Sequence, residues 1–505
     1  MQDRWRIGFA GTDGRTLLSA QVVSTARSQT CSGEYTGVVV RGTPSMPEMA
    51  ERMGWPVEFV ATEDNSVASY AEAVAQALDS GRLDCVVPMP EALLFNGLVD
   101  ELESRGHGER VAGLRQDAAF IEGDKIACKE LCDRGNVPVA DHWTVVDAKS
   151  AAEVRRACLD FIHTSGGAVL KYPYSAGGKG ARVVLDAWEI GQVYDGLMRD
   201  YKKEYKRRFK SKSWPLLVES RMSGMEISFT ILVDAAGSYR ILPTAMDYPE
   251  RFAGAAGKDN PITGGMGSIS PHPFEDERLI ELVEGQIASP LVRIMKAEGL
   301  LRPCVLYPGC FVSFSESGGR LWPRAVRVCE VNIRPGEPEF QPVARRLCNL
   351  GPLVRAMFEG RLDQVEPEVR QDQISLCAGL VTGPGGPDGQ KGYPWSVTKH
   401  EPLEIDFSYL GKKNLQLIPS GMGFDPETGF YSDGTRVAYL NINGTVKPEQ
   451  SRGEVAEKLR SRILSCFSGG KVRVVPREDP QGNRLAMRED IGLHFSLAEE
   501  LLGHS

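Results

Sequence analysis

The stretch GAVLKYPYSAGGKG, Gly167–Gly180, decides how the rest of the chain is read. Ala168, Val169 and Leu170 predict the end of a buried strand, and Lys171 follows directly. Ser175, Ala176, Gly177, Gly178, Lys179 and Gly180 then form a loop with almost no side chains and one ammonium. A second apolar run, Ala181 to Leu185, comes at once. Strand, glycine loop and strand make a hairpin, not the strand-to-helix phosphate loop. Glycines let backbone N–H groups approach phosphate oxygens, and two lysines add point charges. The same residues also suit a glycine turn on a surface hairpin, and this stretch alone does not choose between the two.

The 505 residues, 42% of them hydrophobic, suffice for several domains with their own cores. A net charge of -8, from 59 basic and 67 acidic residues, argues against nucleic acid or an anionic membrane as a general partner. It does not exclude a local anion pocket. The 11 cysteines are scattered, with no CxxC pair. Cys128 and Cys132 lie four apart on a predicted helix with no histidine or third cysteine nearby, so free thiols are expected there rather than metal ligands. Met1 to Arg6 is not an apolar leader, and no apolar run is long enough to span a bilayer. The expectation is a cytoplasmic protein with reduced thiols.

An α/β class follows from the order of elements. Arg6 to Ala10 predicts a strand, Gly11, Thr12, Asp13, Gly14 and Arg15 a turn, and Thr16 to Ala26 a helix. Val38–Val40, Pro56–Val60 and Leu83–Val87 are further strands, the last leading to Pro90 and Glu91. Ligands bind at the carboxyl ends of such strands. Ala118 to Arg134 predicts a helix with Lys125 and Lys129 on one face. The basic run from Tyr201 to Lys212 reads as a solvated face. Pro215 to Val218 predicts a strand ending at Glu219, and Glu226 opens another. A polar, glycine-rich loop is expected from Asp259 to Ser270, with Thr263, Gly264, Gly265, Met266 and Gly267 inside it. From about Gly383 the chain reads as a separate small α/β domain with no chemistry visible from spacing.

Glu330, Asn332 and Arg334 fall two apart on a predicted strand, so they share one face, with Val331 and Ile333 toward the core. A carboxylate and an amide carbonyl suit Mg²⁺, which prefers hard oxygen ligands. An arginine beside them suits a carboxylate or phosphate. An edge strand with a polar face is the plainer reading of the same pattern.

Together these residues resemble the ATP-grasp superfamily, and within it the phosphoribosylamine–glycine ligase (glycinamide ribonucleotide synthetase) family. The resemblance is densest from Asp117 to Gln341. It rests on TGGMG at Thr263–Gly267 and EVNIRPGEPEFQ at Glu330–Gln341, with Lys125, Lys171, Gly177–Gly180, Glu219 and Glu226 in the expected order. It implies an ATP-grasp fold with an amino-terminal parallel-sheet domain (1–120), a small lid subdomain (121–215), a central catalytic subdomain (216–360) and a carboxyl-terminal α/β domain (361–505). It implies ATP with Mg²⁺ or Mn²⁺, small carboxylic acid and amine substrates, an acyl-phosphate intermediate, a place in purine biosynthesis, and a monomer or homodimer. By motif position, Lys125 and Lys171 contact phosphates and Gly177, Gly178 and Lys179 close over them. Glu219 lies beside the adenine and Glu226 at the ribose. Glu330 and Asn332 hold the metal, and Arg334 and Gly336 face the acid or an acceptor phosphate. Gly11, Asp13, Gly14, Arg15, Pro90, Glu91 and Thr263–Gly267 line the substrates.

The chain departs from this family at its first loop, where GxGGREHAL is expected. Asp13 stands at the second glycine, and Thr16 and Leu17 replace glutamate and histidine. Ser220 and Ile262 stand where glutamate and asparagine are expected, and Glu337 replaces an aspartate. A carboxylate at Asp13 either caps the following helix or meets a cationic or neutral amine. The expectation is therefore a ligase of this reaction class with an altered acid or amine. The alternatives are the family's own activity and a non-catalytic nucleotide-binding protein, the last requiring loss of the lysines or the metal pair.

Overall fold

The computed structural model describes residues 4–174, 180–210, 212–254, 260–318, 320–383 and 392–502. The amino-terminal part is a parallel sheet of β1 (Arg4–Gly11), β2 (Glu34–Arg41), β3 (Glu58–Val60) and β4 (Cys85–Pro88), in the order β3-β2-β1-β4. Order reverses between β1 and β4, so the crevice outside their carboxyl ends is where such a sheet presents a ligand. Helix α1 (Gly14–Thr25) starts there. Successive residues of these strands face opposite sides. Val39, with Ile7 and Phe9, joins a core shared with the carboxyl-terminal part, whereas Val38 and Val40 join a core shared with the central sheet.

An antiparallel sheet follows, built from β5 (Trp143–Asp147), β6 (Ala168–Lys171), β7 (Ala181–Val184) and β8 (Pro215–Ser220) in the order β5-β8-β6-β7. The strands on either side of the glycine loop do pair as a hairpin; Ser175–Lys179, with Gly177, Gly178 and Lys179, lies outside the described residues. This sheet has its own core, in which Leu170, Leu197, Tyr205, Leu216 and Val218 are buried. The basic run continues one helix, Ile190–Phe209, whose inner face packs Tyr205 on Trp214 with ring centres 5.2 Å apart. The sheet extends to Ser220, while the helix Lys125–Arg134 buries Cys128, Leu131 and Cys132 against the central core instead. The antiparallel sheet thus takes in strands from Trp143 to Ser220, and the helix Lys125–Arg134 packs with the central core. All cysteines are free.

The central sheet contains β9 (Met225–Ser228), β10 (Ile231–Val233), β11 (Tyr239–Ile241), β14 (Cys304–Ser317) and β15 (Arg320–Asn332), ordered β11-β10-β14-β15 with β9 also on β14. The last sheet draws in β12 (Met246–Asp247) and β13 (Gly267–Ser270), which pairs with β16 (Gln373–Thr382). Arg436–Thr445 and Gln416–Pro419 complete its path. Gly267–Ser270 is therefore a strand, not the end of a loop. Through it the TGGMG segment is tied to the carboxyl-terminal domain. Among the described residues no helix is long and apolar enough to cross a membrane.

Candidate active site

Four elements converge on β15. Val331 and Ile333 are buried in the central core, as the strand's alternation predicts. On the other face the Glu330 carboxylate accepts from Lys125 Nζ at 3.1 Å. The charge of Lys125, against the opposing effect of burial, holds the Glu330 carboxyl at about 2, well below its ordinary value. Asn332 donates its Nδ2 to the Tyr307 carbonyl at 3.1 Å, which leaves the amide oxygen as its free acceptor. Asp124 caps the helix that carries Lys125 by accepting from the N–H of Ile126 and Ala127. The Lys125 N–H donates to Pro173 O at 3.0 Å, so this helix is fastened to the glycine hairpin.

Lys171, at the end of β6, does not stand free. Its ammonium pairs with Glu219 of β8 and donates to Cys329 Sγ at 3.5 Å. Glu219 is only 1% exposed and also meets Lys129 Nζ at 2.6 Å. Burial alone would raise the Glu219 carboxyl; Lys171 and Lys129 outweigh it and hold it below the ordinary range. The position read as lying beside an adenine therefore turns its side chain onto two ammoniums. Lys129 belongs to this group. Its i,i+4 spacing from Lys125 puts both on one helix face, and that spacing was its only signal in the sequence.

Glu226, on β9, is half-buried and close enough to Glu330 for their charges to interact. Burial, then the charges of Glu250, Glu339 and Glu330, push its carboxyl up to about 8. Asp247 and Glu339 lie further in, and burial followed by Glu339 raises Asp247 well above its ordinary value. Asp247 has no spacing signature, and Glu339 lies inside the EVNIRPGEPEFQ segment without an assigned role. Asp247 and Glu339 hydrogen-bond each other, and the Tyr307 hydroxyl also meets Glu339.

The glycines of the two signature loops allow close approach. Gly265 has φ +95°, and a Cβ there would stand 2.4 Å from Pro338 Cδ. A Cβ on Gly336 would lie 2.6 Å from Glu339 Oε2 and 2.8 Å from the Tyr307 ring. Thr263 Oγ1 donates to Pro249 O at 2.8 Å and accepts from the Gly265 N–H at 3.1 Å, and the Gly264 N–H donates to Tyr393 Oη at 3.0 Å. Met266 brings no side chain to the cleft, contrary to its expected place among the substrate residues. It is fully buried with Val381 and Tyr393 and anchors the loop from behind. Gly267 is likewise internal, since a Cβ would meet Ile491 Cδ1 at 2.4 Å.

The first loop is closed by charge pairs. Asp13 precedes α1 but its side chain makes no cap to the helix N–H groups, so the capping reading fails. Its two oxygens accept from Arg15 Nε at 3.1 Å and Nη2 at 2.7 Å, and Thr16 Oγ1 adds 3.3 Å. Arg334 pairs with Glu91 at 3.0 Å and Glu122 at 3.1 Å. Pro90 and Glu91 thus reach the site, Glu91 through its carboxylate. Gly11 ends β1 and Gly14 opens α1, where a Cβ on Gly14 would lie 3.1 Å from Gln341 Nε2. Among the described residues, no set of three or more histidine, cysteine, aspartate or glutamate side chains is arranged as a metal cage.

The sequence pattern of the Phosphoribosylglycinamide synthetase, ATP-grasp (A) domain matches residues 123–340. A phosphoribosylamine–glycine ligase from Vibrio cholerae is 32% identical over 408 residues, 80% of this chain and 86% of that protein. One from Rhodopirellula baltica is 29% identical over 323 residues, 64% of this chain and 69% of that protein. Among solved structures, phosphoribosylamine–glycine ligase of Thermotoga maritima superposes with a TM-score of 0.67 at 19% identity, over 96% of this chain and 99% of that one. The biotin carboxylase domain of Hydrogenobacter thermophilus 2-oxoglutarate carboxylase, in complex with MgADP, ADP and bicarbonate, shares the fold at TM-score 0.57 and 15% identity, over 91% and 89%. The chain accordingly belongs to the phosphoribosylamine–glycine ligase family and is an ATP-dependent, ADP-forming C–N ligase of the ATP-grasp fold.

Proposed function

We propose that the cleft over β15 joins a small carboxylic acid to an amine, with ATP held by Lys125 and Lys171. The observation that carries this reading is that one helix (Lys125, Lys129) and β15 (Glu330, Asn332) line one pocket, while Lys171 of β6 and Glu219 of β8 join it through the Lys129–Glu219–Lys171 ion pairs. The acid's carboxylate oxygen attacks the γ-phosphorus, giving an acyl phosphate and ADP. The amine then attacks the acyl carbon, the C–O bond to phosphate breaks, and the amide forms. No side-chain nucleophile is needed; the residues position groups and offset charge.

In this reading the ammoniums of Lys125 and Lys171 exchange their carboxylate partners for phosphate oxygens. Glu226 binds the ribose hydroxyls, and its raised carboxyl can donate as well as accept. The lid sheet closes over the phosphates, carrying Gly177, Gly178 and Lys179. The division into four parts, with the lid between the amino-terminal and central domains, belongs to the same proposal. Glu330 and the Asn332 carbonyl are hard oxygen donors that fit Mg²⁺ or Mn²⁺ completed by phosphate oxygens and water. Such an ion would offset charge on the transferring phosphoryl group. Presence of both lysines and both oxygen donors argues against a non-catalytic nucleotide binder.

Two substrate assignments compete. Identity to proteins named phosphoribosylamine–glycine ligase favours glycine and phosphoribosylamine, hence purine biosynthesis. The charge pairs around Asp13 and Arg334 favour a different amine. The reaction class is tested by trapping with hydroxylamine, which converts an acyl phosphate to a hydroxamate without any natural amine. ATP-dependent hydroxamate from glycine or another small acid is expected. ADP release that is independent of every acid would remove the ligase reading.

A further inference from the structure

β15 breaks its alternation once. Val328 and Val331 are both buried in the central core, although residues three apart on a regular strand face opposite sides. Its pairing with β14 gives the cause. Gly309 stands opposite Glu330, and the next residue, Cys310, stands opposite Val328, so Cys329 is an extra residue without a partner across the ladder. Such a bulge re-aims a side chain, and bulges gather beside active sites. This one lets Cys329 and Glu330 face the cleft together while Val328 and Val331 keep to the core. The Cys329 thiol is half-buried, and it lines the pocket with Lys125, Glu330 and Asn332. It also accepts from Lys171 Nζ at 3.5 Å.

Lys171 is 4% exposed, and its other acceptor is Glu219, which Lys129 shares. An ammonium has three N–H donors at the end of a flexible stem, so its acceptors set where it points. Binding a phosphate oxygen draws Lys171 away from Glu219, its charged partner. An ammonium released from its only acceptor in a buried site would be a costly intermediate. Cys329 removes that obstacle. Its sulfur is a weak acceptor on the pocket wall, and it keeps one N–H engaged while another passes to the ligand. On a regular strand residue 329 would turn to the core, and Lys171 would have Glu219 alone.

We propose that Cys329 is a positioning residue for Lys171, holding the ammonium toward the pocket while a nucleotide phosphate takes it from Glu219, and that the bound nucleotide covers the thiol. This role rests on the reading of Lys171 as a ligand of ATP and adds the group that aims it.

Alkylation reads the covering without any turnover. With iodoacetamide the Cys329 sulfur attacks the methylene carbon, iodide leaves and the thiol proton goes to solvent. Cys31 and Cys348 are also half-buried and lie outside the pocket, so they serve as controls in the same sample. ATP at about ten times its Kd, without acid or amine, is expected to slow labelling of Cys329 by about tenfold and that of the two controls by less than about twofold, read by peptide mass spectrometry. Equal labelling of Cys329 with and without ATP overturns the proposal. So does equal slowing of all three thiols, or a Cys329 that stays unlabelled when ATP is absent. Calorimetry in the same buffer gives the Kd; no ATP binding at all would remove the ATP reading and this role with it. In turnover, Cys329→Ala is expected to raise KM for ATP about fivefold with kcat changed by less than about twofold. Cys329→Ser keeps an acceptor and is expected to stay within about twofold of the wild type on both. An unchanged KM in Cys329→Ala, or an equal rise in Cys329→Ser, overturns the positioning role. Hydroxamate formation by the wild type reports the ligase reading independently of both measurements.

Discussion

Glu330 and Glu226 are two carboxyl groups on one cleft with opposite settings, and the cause of each is local. Lys125 keeps Glu330 charged, at about 2, whereas burial and then its acidic neighbours keep Glu226 protonated up to about 8. Lys125→Met therefore removes the main support for the Glu330 charge. The acid limb of activity should move up by about one pH unit, together with a higher KM for ATP. An unmoved acid limb would separate the two residues. For Glu226 the sign runs the other way. A carboxyl raised on folding stabilises the folded state while it holds its proton. That contribution is whole below the ordinary value of 4.5 and is lost as pH rises through about 8. Because Glu226 is only half-buried, the effect is discounted to about 1 kcal/mol. In Glu226→Gln the thermal midpoint should fall less between these two pH values than in the wild type. Identical pH slopes for the two proteins would rule out Glu226 as the source. On the proposed metal reading, Glu330→Gln and Asn332→Ala should each abolish turnover with the thermal midpoint little changed. Near-native ADP release by both variants would end the metal assignment.

Among the elements, β15 shows what periodicity reveals and what it hides. Its alternation separates Glu330 and Asn332 from Val331 and Ile333, and the sequence carries that fully. The hairpin around the glycine loop and the four parallel strands are legible for the same reason, because each is a local pattern. The Lys129–Glu219–Lys171 group is not. Its members lie on a helix and on two strands of another sheet, and only the tertiary fold brings them together. Asp247 stands on a two-residue strand, β12, that leaves no period to read, and Glu339 lies within the quoted signature but on no strand whose alternation would aim it at the cleft. The fate of Asp13 was open because a capping carboxylate and a paired one look alike until Arg15 is placed. The buried group yields a prediction at this scale. Glu219→Gln leaves two ammoniums against an amide in a site closed to water, at a cost of about 3–5 kcal/mol. It should lower the thermal midpoint markedly. Adding Lys129→Met should restore part of that loss, because one of the unpaired charges is then gone. A double variant no more stable than Glu219→Gln would show that Lys129 does not share the pair.

At the scale of the whole molecule, the lid and the carboxyl-terminal domain play different parts. The β5–β8 sheet, the proposed lid, has a separate hydrophobic core, as a unit that moves against the rest would need. The carboxyl-terminal domain instead shares β12 and β13 with the site and sends two arginines into it. Arg488 donates to Glu250 O at 3.0 Å and Glu250 Oε2 at 3.1 Å, while Asp490 pairs with its other edge. Arg436 Nη1 donates to the carbonyls of Gly264 and Glu337, joining the TGGMG loop to the loop after β15. The lysines proposed to hold ATP stand on the helix Lys125–Arg134 and on β6, and neither element belongs to this domain. Removing the Arg436 guanidinium should therefore loosen the two substrate loops and leave the nucleotide side intact. For Arg436→Met we expect kcat/KM for the acid or amine to fall by about tenfold or more, corresponding to about 1.4 kcal/mol of transition-state binding. KM for ATP should change by less than about threefold. The thermal midpoint, measured alongside, separates loosened loops from a destabilised domain. If KM for ATP rises as far as the substrate terms fall in a protein of unchanged midpoint, the carboxyl-terminal domain supports the nucleotide site as well, and the division of labour drawn from these contacts is wrong.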